Sequence, residues 1–339
     1  MIDTPGRRIA IVMMSALGDA VHVLPVVTAL KRHEPGCWVT WILQPGPASL
    51  MRGHPLVDEI VVFEKSKGWR ALLELRRSFA HRRFDLVLAL QVYIKAGLVT
   101  ALLHADVKLG FDRARARDMN WLFTNRRIPP HAPQHVQDQY FEFLNELGVP
   151  FEPVTWELGP WPAERPRQRE LLTALDRPAV SLVIGASHAQ KDWLPERWAE
   201  LAGALRTDFG LEPVLAGGRS RRELATEQVI VERLGRATRS TLGVPLRELI
   251  MWLDGSALVV SVDTGPLHMA VALDRPVIAL MGYNNPKRVG PYRKFHDLIV
   301  DAYGEPGEDD PVSIAHRLDR MPRITVRDVL ERVELWSKR

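Results

Sequence analysis

A carboxylate, a lysine and a histidine, each set beside a turn, are the side chains of this sequence best suited to chemistry. Asp263 opens the turn Asp263-Thr264-Gly265 in the stretch SVDTGPLHMAVALDRPVIALMGYNNPKRVGPYR, and Pro266 and His268 follow within about one helical turn. An apolar run, Ala257–Ser261, leads into this turn. A second run, Pro276–Met281, ends in a polar loop carrying Asn284, Asn285, Lys287 and Arg288. The pattern predicts strand, polar turn, helix, strand, polar loop. In open α/β sheets such turns sit at the carboxyl ends of strands, where ligands bind. The unsatisfied N–H groups that open the helix make a seat for phosphate. Asp263 reads as an N-cap as readily as a ligand, and His268 alone reads as a packed histidine. Asp-Thr-Gly is also the aspartic protease triplet, but that reaction needs two carboxylates sharing a proton, and the sequence has one such triplet.

Lys191 lies in Gly185-Ala186-Ser187-His188-Ala189-Gln190-Lys191-Asp192, directly after the apolar run Ala179–Ile184. A Walker loop requires Gly before its Lys and Ser or Thr after it. Here Gln190 and Asp192 hold those places, which argues against a P-loop NTPase. Ser187 and Lys191 remain candidates for a pyrophosphate, against a reading as an exposed loop. A third cluster, Ser15-Ala16-Leu17-Gly18-Asp19, follows the first apolar run. Gly18 permits a tight turn or close backbone approach. Asp19 is either a helix N-cap or a carboxylate available as a general base. Pro25, six residues on, predicts an irregular or kinked first part of that helix. Finally, Gly217-Gly218 precede Glu223, which reads as a ribose ligand or as an exposed helical residue.

G-x-G-x-x-G, H-E-x-x-H and a convincing D-x-D metal motif do not occur. The charge of a diphosphate leaving group would therefore fall to Lys, Arg and backbone N–H groups. A single cysteine, Cys37, excludes a disulfide framework and a cysteine-based metal site. A net charge of +4, with Arg113, Arg115, Arg117, Arg126 and Arg127 close together, suits an anionic partner. Such a balance also raises the reading of a nucleic-acid binder, but no helix-turn-helix signature or aromatic-rich basic patch accompanies it. No stretch approaches the ~20 apolar residues that span a bilayer, and the start of the chain reads as a first strand rather than a signal peptide.

These residues need elements to hold them. Apolar runs at Arg8–Met14, Trp38–Leu43, Glu59–Phe63 and Asp85–Leu90 predict strands, alternating with helices over Asp19–His33, Trp69–Arg82 and Tyr93–His104. In the second half, strands are predicted at Ala179–Ile184, Glu212–Ala216, Ala257–Ser261, Pro276–Met281 and Asp297–Val300. Helices are predicted at Pro195–Phe209, Ser220–Leu234, Pro245–Leu253 and Pro266–Leu273. Repeated βα alternation in an α/β chain of 339 residues argues for two domains with parallel sheets. The Pro- and Gly-rich stretch Gly148–Pro166 reads as the linker between residues 1–158 and 167–322. A polar stretch, Gly304–Asp310, precedes the final helix Thr325–Trp336, within 323–339, which is expected to pack back on the N-terminal domain.

Taken together, these motifs resemble glycosyltransferase family 9, the lipopolysaccharide heptosyltransferases. The resemblance rests on S-x-x-G-D-x-x-x-x-L-P from Ser15 to Pro25, the helix from His135 to Gly148, KDWLPERWAELAGAL, and VSVDTGPLHMAVALDRPVIALMG. It implies a GT-B fold, two Rossmann-like domains with parallel sheets facing across a cleft. It further implies an inverting, metal-independent transfer of heptose from ADP-heptose to a lipopolysaccharide inner-core acceptor. The nucleotide-sugar is then a co-substrate, and no resident cofactor is expected. Asp19 matches the family's general base, and Lys191 its phosphate-binding lysine. Asp263, Thr264, Gly265, Pro266 and His268 match the donor motif, with Ser187 and Glu223 as further donor contacts. Gly18, Arg113, Arg115 and Arg117 are assigned to an anionic glycolipid acceptor. A cytoplasmic enzyme peripheral to the inner membrane follows, with no nucleic-acid partner. The loop YNNPKR departs from the family's commoner P-T-D-P form, which leaves another nucleotide-sugar or glycan acceptor as the alternative.

Overall fold

Two parallel sheets of six strands each organise the chain. The structure, a computed structural model, describes residues 6–235, 238–305, 307, 309 and 311–339. Two compact units divide it: one runs to Ala132 and adds Val136–Glu157, and the other comprises Pro133–His135 and Leu158–Arg339. The division after Glu157 falls within the Pro- and Gly-rich stretch read as a linker.

The first unit runs β1 (Arg8–Val12), α1 (Leu17–His33), β2 (Trp38–Leu43), α2 (Pro45–Met51), β3 (Glu59–Val62), α3 (Trp69–Phe79), β4 (Arg83–Ala89), α4 (Ile94–Leu102), β5 (His104–Gly110), β6 (Arg126–Arg127) and α5 (Val136–Leu147). Its sheet order is β3-β2-β1-β4-β5-β6. In the central strand, Ile9 pairs with Val39 on one side and Leu86 on the other. Helices cover both faces, so β1 reads as an unbroken apolar run rather than an alternation, and Ile9, Ala10, Ile11 and Val12 are fully buried. α1 continues as one helix through Pro25. Burial from Ala20 to Leu30 holds it in place against the missing backbone hydrogen bond, and the Thr28 hydroxyl donates to the Pro25 carbonyl at 3.1 Å.

The second unit repeats the scheme with α6 (Arg165–Thr173), β7 (Ala179–Val183), α7 (Pro195–Thr207), β8 (Glu212–Gly217), α8 (Arg221–Leu234), β9 (Arg239–Leu242), α9 (Leu246–Gly255), β10 (Leu258–Val262), α10 (Gly265–Ala272), β11 (Val277–Met281), α11 (Pro286–Val289), β12 (Ile299–Asp301) and α12 (Val326–Ser337). Its order, β12-β11-β10-β7-β8-β9, is the same topology read from the other edge. Each sheet is thus the doubly wound arrangement of a Rossmann fold, with its order reversing between β1 and β4 and between β7 and β10.

Three strands escaped the sequence reading. β5 (HADVKLG) and β9 (RSTL) carry polar side chains, and β6 has only two residues, so no apolar run announces them. The helix expected to reach His104 stops at Leu102, and His104 opens β5. The final helix contributes to the second unit. Val326, Val329 and Val333 of α12 belong to the core of the second unit, where α12 lies against α7, β11 and β12. Their spacing forms one apolar stripe, and this unit buries it. Pro306, Glu308 and Asp310 of the polar stretch lie outside the described residues. No helix among the described residues is long and apolar enough to cross a membrane.

Candidate active site

In the second unit, the loop after β7 and the turn after β10 flank the point where the strand order reverses. Lys191, from a short 3₁₀ turn at Ala189–Lys191, places its Nζ 2.8 Å from Asp263 Oδ2. The same ammonium donates to the Asp263 carbonyl at 3.3 Å. Asp263 is buried, and its Oδ2 also accepts from Asn284 Nδ2 at 2.5 Å. Its carboxylate therefore ties two loops together, and Thr264 rather than Asp263 is the N-cap of α10. Gly265 follows as the first helical residue, and its N–H has no partner available within the helix. Pro266 supplies no N–H, and Leu267 N–H returns to the Thr264 carbonyl at 3.0 Å. A lysine and a helix N-terminus thus converge at one sheet end, an arrangement that favours an anion.

The loop that carries Lys191 is itself braced. Asp192 accepts from Ala186 N–H at 3.0 Å and from Arg222 Nε at 2.6 Å, and Arg222 also donates to the Ala186 carbonyl. Ser187 is left exposed at the crown of this loop. Beside it the rings of His316 and Tyr283 stack nearly parallel, 4.7 Å apart. His188 lies 6.5 Å from Tyr283 on a similar plane, and Lys191 Nζ is 5.9 Å from the Tyr283 centroid. His316 Nδ1 meets Asn284 Oδ1 at 2.7 Å. No local pattern announces His316, since the contact joins positions 32 residues apart.

His268, one turn into α10, is buried. Burial, first, and then the neighbouring charges of His135 and Lys191 push its pKa down to about 3. It is accordingly neutral at physiological pH, with one ring nitrogen a donor and the other an acceptor. His135 belongs to the same unit, with Nε2 3.0 Å from the Gly290 carbonyl and its ring 4.9 Å from that of Tyr292.

Glu223 is not an exposed helical residue. Its carboxylate is buried at the start of α8 and accepts from Gly218 N–H at 2.6 Å and Ser220 N–H at 2.9 Å, completing a capping box with Ser220. Glycine is needed opposite it: a Cβ on Gly185 would stand 2.4 Å from Glu223 Cγ, and one on Gly217 2.7 Å from Oε1.

In the first unit, Asp19 lies in the opening turn of α1, after the carboxyl end of β1. It is the third helical residue, not the N-cap, which is Ala16. Asp19 Oδ2 accepts from Ala16 N–H at 2.9 Å, and Tyr140 Oη donates to Oδ1 at 3.3 Å. Gly18 is inside this first helical turn, where no left-handed backbone is required. A cavity of about 300 Å³ is lined by Ser15, which precedes α1, together with Gln44, Lys65, Gln91, Tyr93, Lys95 and Asp118, among others. It opens at the reversal point between β1 and β4. Gln91 fastens its floor, accepting from Met14 N–H at 2.9 Å.

The three arginines assigned to the acceptor separate by environment. Arg115 is clamped, with Nε 2.5 Å from Asp112 and its two terminal nitrogens 2.7 and 2.6 Å from the Glu142 carboxylate. That carboxylate cage engages its guanidinium within the first unit. Arg113 and Arg117 are exposed, stacked over Trp121 at 4.4 Å and Tyr93 at 5.6 Å. Among the described residues no group of three or more His, Cys, Asp and Glu is arranged to hold a metal ion.

Comparison with known proteins gives this geometry a context. Residues 72–308 match the model of glycosyltransferase family 9 (heptosyltransferase). The lipopolysaccharide core heptosyltransferase OpsX of Haemophilus influenzae is 30% identical over 302 residues, 88% of this chain and 85% of that protein. The structure of E. coli heptosyltransferase WaaC with ADP superposes with a TM-score of 0.74 at 26% identity, covering 98% of both chains. WaaC with ADP-2-deoxy-2-fluoro heptose gives the same TM-score at 25% identity, covering 97% of this chain and 99% of that one.

Proposed function

We propose, from the premise that this chain belongs to glycosyltransferase family 9, that it transfers heptose from ADP-heptose to the phosphorylated inner core of lipopolysaccharide. The observation that carries this reading is the convergence of Lys191 with the N-terminus of α10 at the reversal point of the second sheet. Related E. coli WaaC binds ADP and a fluorinated ADP-heptose, and this supports the same donor here.

The transfer inverts the anomeric centre and uses no metal. Asp19 accepts the proton of an acceptor hydroxyl as that oxygen bonds to the anomeric carbon, while the bond from that carbon to the ADP oxygen breaks on the opposite face. Negative charge then grows on the diphosphate. Lys191 turns from Asp263 to the phosphates, and the Gly265 N–H adds a fixed dipole. Ser187 contacts the pyrophosphate, Thr264 and neutral His268 hydrogen-bond the donor, and Pro266 shapes the turn. Each Glu223 oxygen retains a lone pair for a ribose hydroxyl beyond its backbone bond.

The acceptor enters the cavity beside Ser15, where Lys65 and Lys95 meet its anionic groups, and Gly18, Arg113 and Arg117 contact it from outside. The enzyme is cytoplasmic and works at the surface of the inner membrane. A second reading keeps the chemistry but changes the sugar. It is favoured by the YNNPKR loop, where Asn284 bonds Asp263 at the donor site. Incubating the protein with a de-acylated inner-core acceptor and ADP-heptose, or ADP-, UDP- and GDP-hexoses, tests both readings by mass spectrometry. A heptose-sized mass gain with ADP-heptose alone is expected. Transfer only from another donor selects the second reading, and no transfer from any donor removes both.

A further inference from the structure

The outward face of α3 has a composition that a solvated helix does not require. Ala71, Leu75 and Phe79 turn into the core. On the opposite side Trp69 is 67% exposed and Leu73 38% exposed, four residues apart and therefore on one stripe. Arg70, Arg76 and Arg77 flank this stripe and are exposed. Among the described residues none of these three guanidinium groups has a carboxylate partner within ion-pair distance, whereas nearby Lys67 is shared between Glu64 and Glu74. From Glu64 to Arg77 the chain carries five cations against two carboxylates. The segment also continues directly from Lys65, which lines the cavity assigned above to the acceptor.

We propose that the Trp69–Leu73 stripe of α3, with Arg70, Arg76 and Arg77, docks the N-terminal unit on an anionic phospholipid bilayer. A bulky indole and a leucine bordered by arginines fit the boundary between headgroups and acyl chains: the apolar groups enter and the guanidinium groups stay with the phosphates. Unpaired arginines add attraction to an anionic leaflet. A water-soluble glycan or nucleotide offers no apolar layer for Trp69 and Leu73, so charge and hydrophobicity together select a membrane. The proposal rests on the acceptor reading for its purpose, since a lipid-anchored acceptor would then be met beside its own cavity. Its physical basis in α3 is independent of that reading.

The test is co-sedimentation of the full chain with vesicles of phosphatidylcholine alone or mixed with phosphatidylglycerol, without donor or acceptor. Binding is expected to the mixed vesicles and to weaken as salt is raised. Arg76→Gln with Arg77→Gln should weaken it roughly 25-fold, at about fivefold per arginine. Trp69→Ser with Leu73→Ser should weaken it on the order of tenfold or more. Both double variants should keep the wild-type melting temperature and the wild-type rate on a soluble, de-acylated acceptor. Absence of wild-type binding to the mixed vesicles overturns the proposal, as does undiminished binding by the Trp69/Leu73 variant. A change of that variant from oligomer to monomer, without vesicle binding by the wild type, would assign the face to a second copy instead. Vesicle binding without sugar transfer leaves the docking face standing and removes the enzymatic reading. Transfer without vesicle binding does the reverse.

Discussion

The Lys191 ammonium lies 2.8 Å from the Asp263 carboxylate, joining the loop after β7 to the turn after β10 across the reversal point of the second sheet. The pair is nearly buried, with side-chain exposures of 14% and 6%. The lysine is thereby held where a diphosphate would compete with Asp263 for it. Asn284 keeps one hydrogen bond on that carboxylate if the lysine turns away.

Lys191→Met should weaken ADP binding about 10- to 100-fold, the usual loss for a hydrogen bond to a charged group. It should also lower the stability of the second unit by about 3 kcal/mol, because a buried carboxylate loses its counter-ion. Calorimetric titration with ADP and denaturant unfolding measure the two effects separately. Unchanged ADP affinity would take Lys191 out of the phosphate site.

Asp19→Asn should cut turnover by ~10²–10⁴, as expected for loss of a general base, with donor affinity nearly intact. Tyr140→Phe removes the hydroxyl that orients this carboxylate and should cost about tenfold or less. Single-turnover rates at saturating donor distinguish the two. Wild-type turnover in the asparagine variant would remove Asp19 from its role.

His268 supplies a pH dependence with a defined sign. Its pKa in the folded chain is about 3, against 6.5 for an unperturbed histidine. Above pH 6.5 it is neutral in both states and contributes no pH dependence. As pH falls from 6.5 towards 3 the unfolded chain takes up the proton first, so the native state loses stability. The melting temperature of His268→Gln should therefore rise relative to wild type across that window. A constant difference between the two would contradict the buried neutral ring.

The arginines should divide by function. Arg115→Ala leaves Asp112 and Glu142 without their shared cation and should destabilise the first unit by about 3–5 kcal/mol. Arg113→Ala with Arg117→Ala should leave the melting temperature within a degree or so, as exposed substitutions usually do. That pair should raise the acceptor KM in a salt-sensitive manner. Equal thermal losses in both variants would erase the distinction.

Much of the fold was legible because its signals are local. Strands buried on both faces, such as β1, β10 and β11, appear as apolar runs, and the turns that end them are polar. Edge strands β6 and β9 were missed because they are short and polar, and β5 because His104, Asp106 and Lys108 interrupt its apolar pattern. Asp19, Lys191 and Asp263 each stand in a turn beyond a predicted strand, but position left each with a plain structural reading, and the family resemblance is what suggested a role for them.

The sequence by itself determined two βα-alternating halves and the set of turns in which polar side chains gather. Tertiary structure alone decided what those side chains do there. It joined Lys191 to Asp263 over 72 positions and Tyr140 to Asp19 over 121. It also enclosed Arg115 between carboxylates, buried Glu223 against glycines, and placed α12 in the second core. The reason is physical: hydrophobic periodicity reports the nearest few residues, whereas the partner of a charge is chosen by strand order, which brings distant turns to one end of a sheet.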